Sequence, residues 1–291
     1  MARRRELSDS QWERLEGLMP RMWGRSRPWR DHRQVVEGII FRYRTGVPWR
    51  DLPDRFGPWQ TVWKRHRQFS VDGTWDRILA TLLTAADAAG DIDWVVSVDS
   101  TIVRAHQHAT RLPRTTGGSS NHKNPGVEPA DHAIGRSRGG LSTKIHHAVD
   151  GRRRPLAILV SPGQGGDAPM FLPLLSQLRV LRSERGRPRT RPVAVLADRA
   201  YSSRAIRADL RRRQIQAVIP EKRDQQAHRK RRGRAGGRPV SYDKDTYKRR
   251  HTVECAFNTL KEWRALATRY DRHAVIFRGA VVLAAILAWL R

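Results

Sequence analysis

The sequence predicts a mixed α/β domain preceded by a small all-α part of helix-turn-helix character. Up to about residue 90, apolar side chains recur at helical spacing, punctuated by Pro20, Gly46 and Gly57-Pro58. Beyond Gly90 the pattern changes to short apolar runs, first two in succession and then alternating with helical stretches, as in a sheet flanked by helices. Two of those runs end in an aspartate, Asp99 and Asp198. The division predicted is residues 1–90 and residues 91–291.

In the first part, Ser8 offers an N-cap ahead of Trp12, Leu15, Leu18 and Met19, which share one helical face. A second helix carries Val35, Ile39, Ile40 and Tyr43 and stops near Gly46. A third, short one begins at Pro48-Trp49-Arg50-Asp51-Leu52. Gly57-Pro58 opens a fourth, with Trp59, Val62, Trp63 and Phe69 inward and Gln60, Lys64, Arg65 and Arg67 outward. Short helices ending in a basic one suit a motif whose last helix enters the major groove of DNA. A plain helical bundle with a solvated basic face has the same pattern.

In the second part, Trp94-Val95-Val96-Ser97-Val98 reads as a buried strand ending at Asp99. Residues 111–140, rich in Gly, Ser, Pro, Arg and Asn, read as a mobile loop. Strands at 143–149 and 155–160 are joined by a turn at Asp150-Gly151. A helix from 169 to about 181 precedes the apolar run 193–197, which ends at Asp198. A helix over 202–213 and a strand over 217–219 follow. Residues 221–246 read as a second mobile loop, crowded with Arg229, Lys230, Arg231, Arg232 and Arg234 among glycines and too polar to bury a core. From Tyr247 onward the chain reads as helical. Its final apolar run, 279–290, is too short for a bilayer and suits a buried closing helix.

Charge narrows the function class. The chain of 291 residues holds 57 Lys and Arg against 28 Asp and Glu, a net charge of +29. Such a surplus calls for a polyanion, and nucleic acid fits, because each neutralised phosphate releases condensed counterions. Binding to acidic lipid would need an amphipathic or lipidated anchor, and neither is present in the pattern. The single cysteine, Cys255, leaves no internal disulfide and suits a reducing cytoplasm. No apolar stretch follows the charged start Met-Ala-Arg-Arg-Arg, so no secretory signal is expected.

Alone, either aspartate reads as a strand-end turn residue. Together at one sheet edge, two carboxylates repel unless they share a proton or hold a metal. Farther on, Tyr247, Arg250, Glu254 and Lys261 stand at spacings that place a hydroxyl, a guanidinium, a carboxylate and an ammonium on one helical stripe. An exposed salt-bridged helix also accounts for Arg250 and Glu254. Among the histidines, His106, His108, His146, His147 and His251 are candidate ligands or bases. None has zinc-finger spacing; His106 is the candidate for a role near the metals or DNA, and the others read as structural or DNA-facing.

At this point the residues meet a known family. Tyr247, Arg250, Glu254 and Lys261 match in full the Y-R-E-K signature of the DDE transposases of bacterial insertion sequences, and the chain resembles their IS-five-like group within the IS-four-like set. Val98-Asp99-Ser100-Thr101-Ile102-Val103-Arg104-Ala105-His106 resembles the first-aspartate motif, and Leu196-Ala197-Asp198-Arg199-Ala200-Tyr201 the second. Residues 135–144, 162–167 and Trp49-Arg50-Asp51-Leu52-Pro53 are similar too, so the likeness covers nearly the whole chain.

The resemblance implies an RNase H-like catalytic domain in which Asp99, Asp198 and Glu254 ligate two Mg²⁺ ions, with Mn²⁺ as a substitute. It implies that Tyr247, Arg250 and Lys261 bind phosphates. The implied partners are double-stranded DNA at the terminal inverted repeats and the target, met by a homodimer in the bacterial cytoplasm at the nucleoid. Asp167, in one of the motifs, is expected to cap the helix that follows. Only 56 positions separate Asp198 from Glu254, too few for the large β-rich insertion of some relatives. A stand-alone RNase H-like nuclease and a non-catalytic DNA-binding regulator are the rival readings.

Overall fold

Local signals start the fold where the sequence places them. The computed structural model describes residues 6–21, 29–113, 116–117 and 127–291. Residues 114–115 and 118–126 of the expected 111–140 loop lie outside these, and the end of that stretch is not loop but strand, at Gly135–Ser137 and from Gly140 onward. Helix α1 (Asp9–Glu16) begins with a capping box between Ser8 and Gln11. Asp31 caps α2 (His32–Thr45), which Gly46 ends in the left-handed region at φ +78°. A 3-10 turn at Trp49–Asp51 and another at Asp54–Phe56 lead to α3 (Trp59–Val71). Helix α4 (Thr74–Ala88), not singled out from the sequence, follows.

The second part is a seven-stranded mixed sheet with helices on its faces. Its strands are β1 (Val95–Ala105), β2 (Gly135–Ser137), β3 (Gly140–Val149), β4 (Pro155–Pro162), β5 (Ala194–Leu196), β6 (Gln216–Val218) and β7 (Thr268–Arg269). β1 lies antiparallel to β3 and parallel to β5, β3 is antiparallel to β4, and β5 is parallel to β6. The helices are α5 (Asp167–Gln177), α6 (Arg204–Arg212), α7 (Arg223–Arg231), α8 (Lys244–Lys248), α9 (His251–Lys261), α10 (Arg264–Ala267) and α11 (Ala274–Trp289). This is the helix-flanked mixed sheet that the sequence predicts. Among the described residues, no helix is long and apolar enough to cross a membrane.

The predicted closing helix is longer than its apolar run and organises the molecule. α11 is buried around nearly its whole circumference and packs on α3, α4 and β4. Each of its Val, Leu and Ile side chains, fully removed from water, contributes about 1.5–3 kcal/mol. Gly279 lets α11 approach α3 closely, since a Cβ there would meet the Ser70 Cβ at 2.7 Å. The helical part and the sheet therefore share one hydrophobic core, from Leu7 to Leu290.

A buried polar belt crosses the same seam. Trp75 Nε1 donates to His66 Nδ1 (3.4 Å), His66 Nε2 meets the Tyr43 hydroxyl (3.0 Å) and the Ile276 carbonyl (3.2 Å), and Tyr43 donates to Asp271 (2.9 Å). Arg269, fully buried, donates to the carbonyls of Asp271, Ala133 and Arg272 and to Thr143 Oγ1. Arg42 lies over the rings of Tyr43 (4.5 Å) and Trp49 (4.9 Å). Burial lowers the His66 pKa to about 4, so its imidazole is neutral.

Four expectations need correction. The strand expected to end at Asp99 runs on to Ala105, because β3 pairs with it through Arg104. The segment 221–246, expected as loop, contains α7 and a 3-10 turn at Gly233–Gly236. The helix from Tyr247 is interrupted: α8 ends at Lys248, and i to i+3 bonds carry the chain through Arg249 and Arg250 into α9. Arg65, expected outward, is 8% exposed, with its guanidinium 3.6 Å from the centroid of the Trp29 ring.

Candidate active site

Strand alternation points Ser97 and Asp99 to one face of β1 and Ser100 to the other. On the first face, α9 is seated by the Thr252 hydroxyl on Ser97 (3.0 Å) and by Phe257 stacked on His147 (4.9 Å between centroids). His147 stands opposite Asp99 in the β1–β3 register, so this packing lays α9 across the strand at Asp99. Burial drives the His147 pKa down to about 3, making it an apolar plate in this contact.

That docking brings a carboxylate on α9 to one on β1. Arg250 donates to Asp99 Oδ2 at 3.0 Å and also to Glu254, so one guanidinium bridges the two acids. Glu254 is half exposed, with 50% of its side-chain surface accessible. Asp198, two residues past β5, accepts from the Ala200 N–H at 2.7 Å and starts the 3-10 turn Arg199–Tyr201. β5 lies beside β1 in parallel, which sets Asp198 near Asp99. The Asp99 carboxyl is raised above its ordinary value, first by burial and then by Asp198 and Asp167, against the pull of the Ser100 N–H and Arg250. The buried Tyr201 hydroxyl is pushed far up by burial and by Asp99, Asp167 and Asp198, so it stays protonated beside them.

Asp167 belongs to this neighbourhood, and its expected role as a cap is not what the structure shows. The N-cap of α5 is Gly166, with no side-chain cap bond. The Asp167 carboxylate instead accepts from Ser100 Oγ (2.6 Å) and Lys144 Nζ (2.8 Å). Burial raises its pKa, and the two donors more than offset this, leaving it below the usual carboxylate value. Sequence reasoning missed the Ser100–Asp167–Lys144 link and Tyr201. The only signal was that all four lie in the recognised motifs.

Of the Y-R-E-K residues, Arg250 and Glu254 are at the acidic centre. Tyr247 sits one short helix earlier, half-buried against Tyr242 and the Val95, Leu196 and Val218 side chains. Lys261 is exposed at the far end of α9, about 10 Å along the axis from Glu254. On α3, Gln60 and Lys64 are exposed, Arg67 is half-buried and Arg65 is covered. Lys230, Arg231, Arg232 and Arg234 are exposed, whereas Arg229 is tied to Glu221 at 2.8 Å. His106 is not with the carboxylates. It follows the end of β1, about 23 Å of strand beyond Asp99, and stacks on Tyr270 (4.8 Å) in a cavity with Trp49 and Trp63.

The donor set fits a hard divalent cation. Three carboxylates supply only oxygen, the donor type such cations prefer, and two of them share the Arg250 guanidinium.

Comparison with known proteins gives the family. Residues 7–79 match the family described as putative transposase of IS4/5 family, and residues 91–289 match the transposase DDE domain. The putative transposase for insertion sequence element IS6501 of Brucella ovis is 33% identical over 151 residues, 52% of this chain and 100% of that protein. The putative transposase for insertion sequence element IS402 of Burkholderia cepacia is 32% identical over 151 residues, 52% of this chain and 61% of that protein. An uncharacterized protein, y4sN, of Sinorhizobium fredii is 39% identical over 113 residues, 38% of this chain and 86% of that protein. No solved structure matches the chain. The chain belongs to the DDE-domain transposases of insertion sequences.

Proposed function

We propose that this transposase binds the terminal inverted repeats of its insertion sequence, cleaves at the element ends and joins them to target DNA. The observation that carries this reading is the Arg250 guanidinium bridging Asp99 on β1 and Glu254 on α9, with Asp198 set beside Asp99 by the parallel β1–β5 pairing. In this reading the three carboxylates hold two Mg²⁺ ions, for which Mn²⁺ substitutes. When bound, such ions lower the pKa of a water or of a DNA 3′-hydroxyl and neutralise charge at the scissile phosphate.

The chain's own residues position the substrate. Arg250 exchanges its carboxylate partners for a phosphate, which its planar fork grips in two places. Tyr247 and Lys261 hold neighbouring phosphates, one on each side of Arg250 along the helical path. Ser100, Asp167 and Lys144 fix the far side of β1, so Asp99 keeps its direction when cations enter. The helical part, residues 1–90, reads the repeats through Gln60, Lys64 and Arg67 on α3. Lys230, Arg231, Arg232 and Arg234 add sequence-independent contacts. A homodimer pairing two ends, acting in the cytoplasm at the nucleoid, completes the proposal.

The test is to incubate the purified chain with end DNA from its own element, a target duplex and Mg²⁺ or Mn²⁺. End-specific cleavage with strand-joined products is the expected result. Cleavage without joining would mark a nuclease, and binding without either would mark a regulator.

A further inference from the structure

Away from the acidic centre, a second group of ligating side chains meets at the start of α11. Glu128, His132 and His273 each offer one donor atom, and those atoms lie within 4.8 Å of one another. Glu128 is fully buried, and its carboxylate accepts from the N–H groups of Ala274 (2.7 Å) and Val275 (3.1 Å). Its Oε1 is 2.7 Å from His132 Nδ1 and 3.9 Å from His273 Nδ1. His273 Nδ1 is itself buried and has no hydrogen-bond partner among the described residues. His132 and the next residue, Ala133, are held at φ +54° and +49°, in the left-handed region that non-glycine residues rarely enter.

A proton shared between Glu128 and His132 would satisfy that pair and leave His273 Nδ1 without a partner. One cation would satisfy all three atoms. We propose that Glu128, His132 and His273 form a structural binding site for a transition-metal dication of the zinc class, separate from the acidic centre. Tetrahedral zinc sets neighbouring N and O donors about 3.3 Å apart, and the distances of 2.7 and 3.9 Å bracket that value. Two imidazoles and one carboxylate favour Zn²⁺, Co²⁺ or Ni²⁺ over Mg²⁺, which prefers oxygen.

Cavities and charges surround the group. His273 lines a cavity of about 630 Å³, and His132 lines a second of about 340 Å³, so open space adjoins the buried group on two sides. Arg269 and Arg67 act on His273 as repelling charges, and Glu128 with Asp131 and Asp271 counters Arg269. The bound ion would tie residues 127–134, which lead into β2, to the first turn of the helix that closes the core.

The experiment uses the full, untagged chain, stripped with chelator and titrated with Co²⁺ as the optical probe in excess Mg²⁺. The expected result is one Co²⁺ per chain with tetrahedral visible absorption, displaced by Zn²⁺ and retained in Asp99→Asn and Asp198→Asn. His132→Ala and His273→Ala should each weaken binding at least tenfold. Should either alanine variant fail to fold, His273→Cys supplies the readout, because a ligating thiolate adds a cobalt charge-transfer band in the near ultraviolet. A chain that shows no stoichiometric spectrum overturns the site. So does a spectrum that survives unchanged in the folded His132→Ala and His273→Ala variants, one lost on Asp99→Asn, or a His273→Cys variant without the new band.

Discussion

The acidic centre and the buried belt at the seam both gather charged and polar side chains on the same sheet, and they resolve the charge differently. In the belt, Trp75, His66, Tyr43, Asp271 and Arg269 hand hydrogen bonds to one another and to backbone carbonyls inside the core. At the centre, Asp198 and Asp167 repel the charge on Asp99, and Glu254 stands half in solvent. The belt is bonded mostly within itself, with Arg42 Nε and Nη1 left without a hydrogen bond among the described residues, and it serves cohesion. The centre keeps its carboxylates in mutual repulsion and partly in solvent, which costs stability.

The contrast can be broken by substitution. Asp271→Ala removes a buried acceptor beside Arg269, Arg42 and Tyr43 and should lower stability by about 3–5 kcal/mol in urea unfolding. Asp198→Asn should cost nothing or stabilise slightly, because it relieves the repulsion on Asp99. Equal losses for the two would erase the distinction.

Acid should unfold the belt before it frees the centre. The folded-state pKa of His66 is about 4, below its ordinary 6.5, so its contribution is complete above pH 6.5 and is lost as pH falls toward 4. At about 1.4 kcal/mol per pH unit, the shift corresponds to a loss on the order of 3 kcal/mol. His146 and His147 are lowered to about 4 and about 3 and add to the same trend. Thermal unfolding followed between pH 7 and pH 4 should show a steep fall in Tm that is shallower in His66→Gln.

A smaller effect separates neighbours on α3. Arg65→Ala should lower stability by about 1–2 kcal/mol by removing the stack on Trp29, and Lys64→Ala should leave stability unchanged while weakening DNA binding. The smallest effect is expected on the basic arm. Replacing Lys230, Arg231, Arg232 and Arg234 by Ser should reduce the slope of log affinity against log salt by about 0.9 for each phosphate no longer neutralised, without altering sequence preference. An unchanged slope would make the arm a passive segment. A fragment of residues 1–90 is a poor tool for these tests, because it would expose the α3 and α4 surfaces that α11 covers.

These regions also differ in how far the sequence discloses them. The strands at β3, β4, β5 and β6 and the helices α2, α3 and α11 stand out through apolar periodicity, and the family motifs point to the acidic residues. Three features stay hidden for physical reasons. β1 turns polar after Val98 because its distal half faces the acidic centre and solvent, so an apolar run cannot mark its end. α7 has no apolar face at all, so hydrophobic periodicity has nothing to register. Arg65 and Asp167 take partners set by tertiary packing, Trp29 for one and Ser100 with Lys144 for the other, and no local spacing encodes those meetings. His132 and His273 are far apart in sequence and share no motif, which is why their meeting at Glu128 is visible only in the fold.

The central claim is that Asp99, Asp198 and Glu254 act as one cation-dependent centre that works on DNA held elsewhere. The most direct measurement compares Asp99→Asn, Asp198→Asn and Glu254→Gln with the parent for end-DNA affinity and for Mg²⁺-dependent cleavage of the same DNA. Each variant should keep affinity within about threefold, a difference under about 1 kcal/mol, and lose cleavage by a factor on the order of a thousand or more, about 4 kcal/mol of transition-state stabilisation. A variant that still cleaves at a substantial fraction of the parent rate would remove that residue from the centre. Loss of binding in step with cleavage would contradict the separation of the site from the DNA-holding surface.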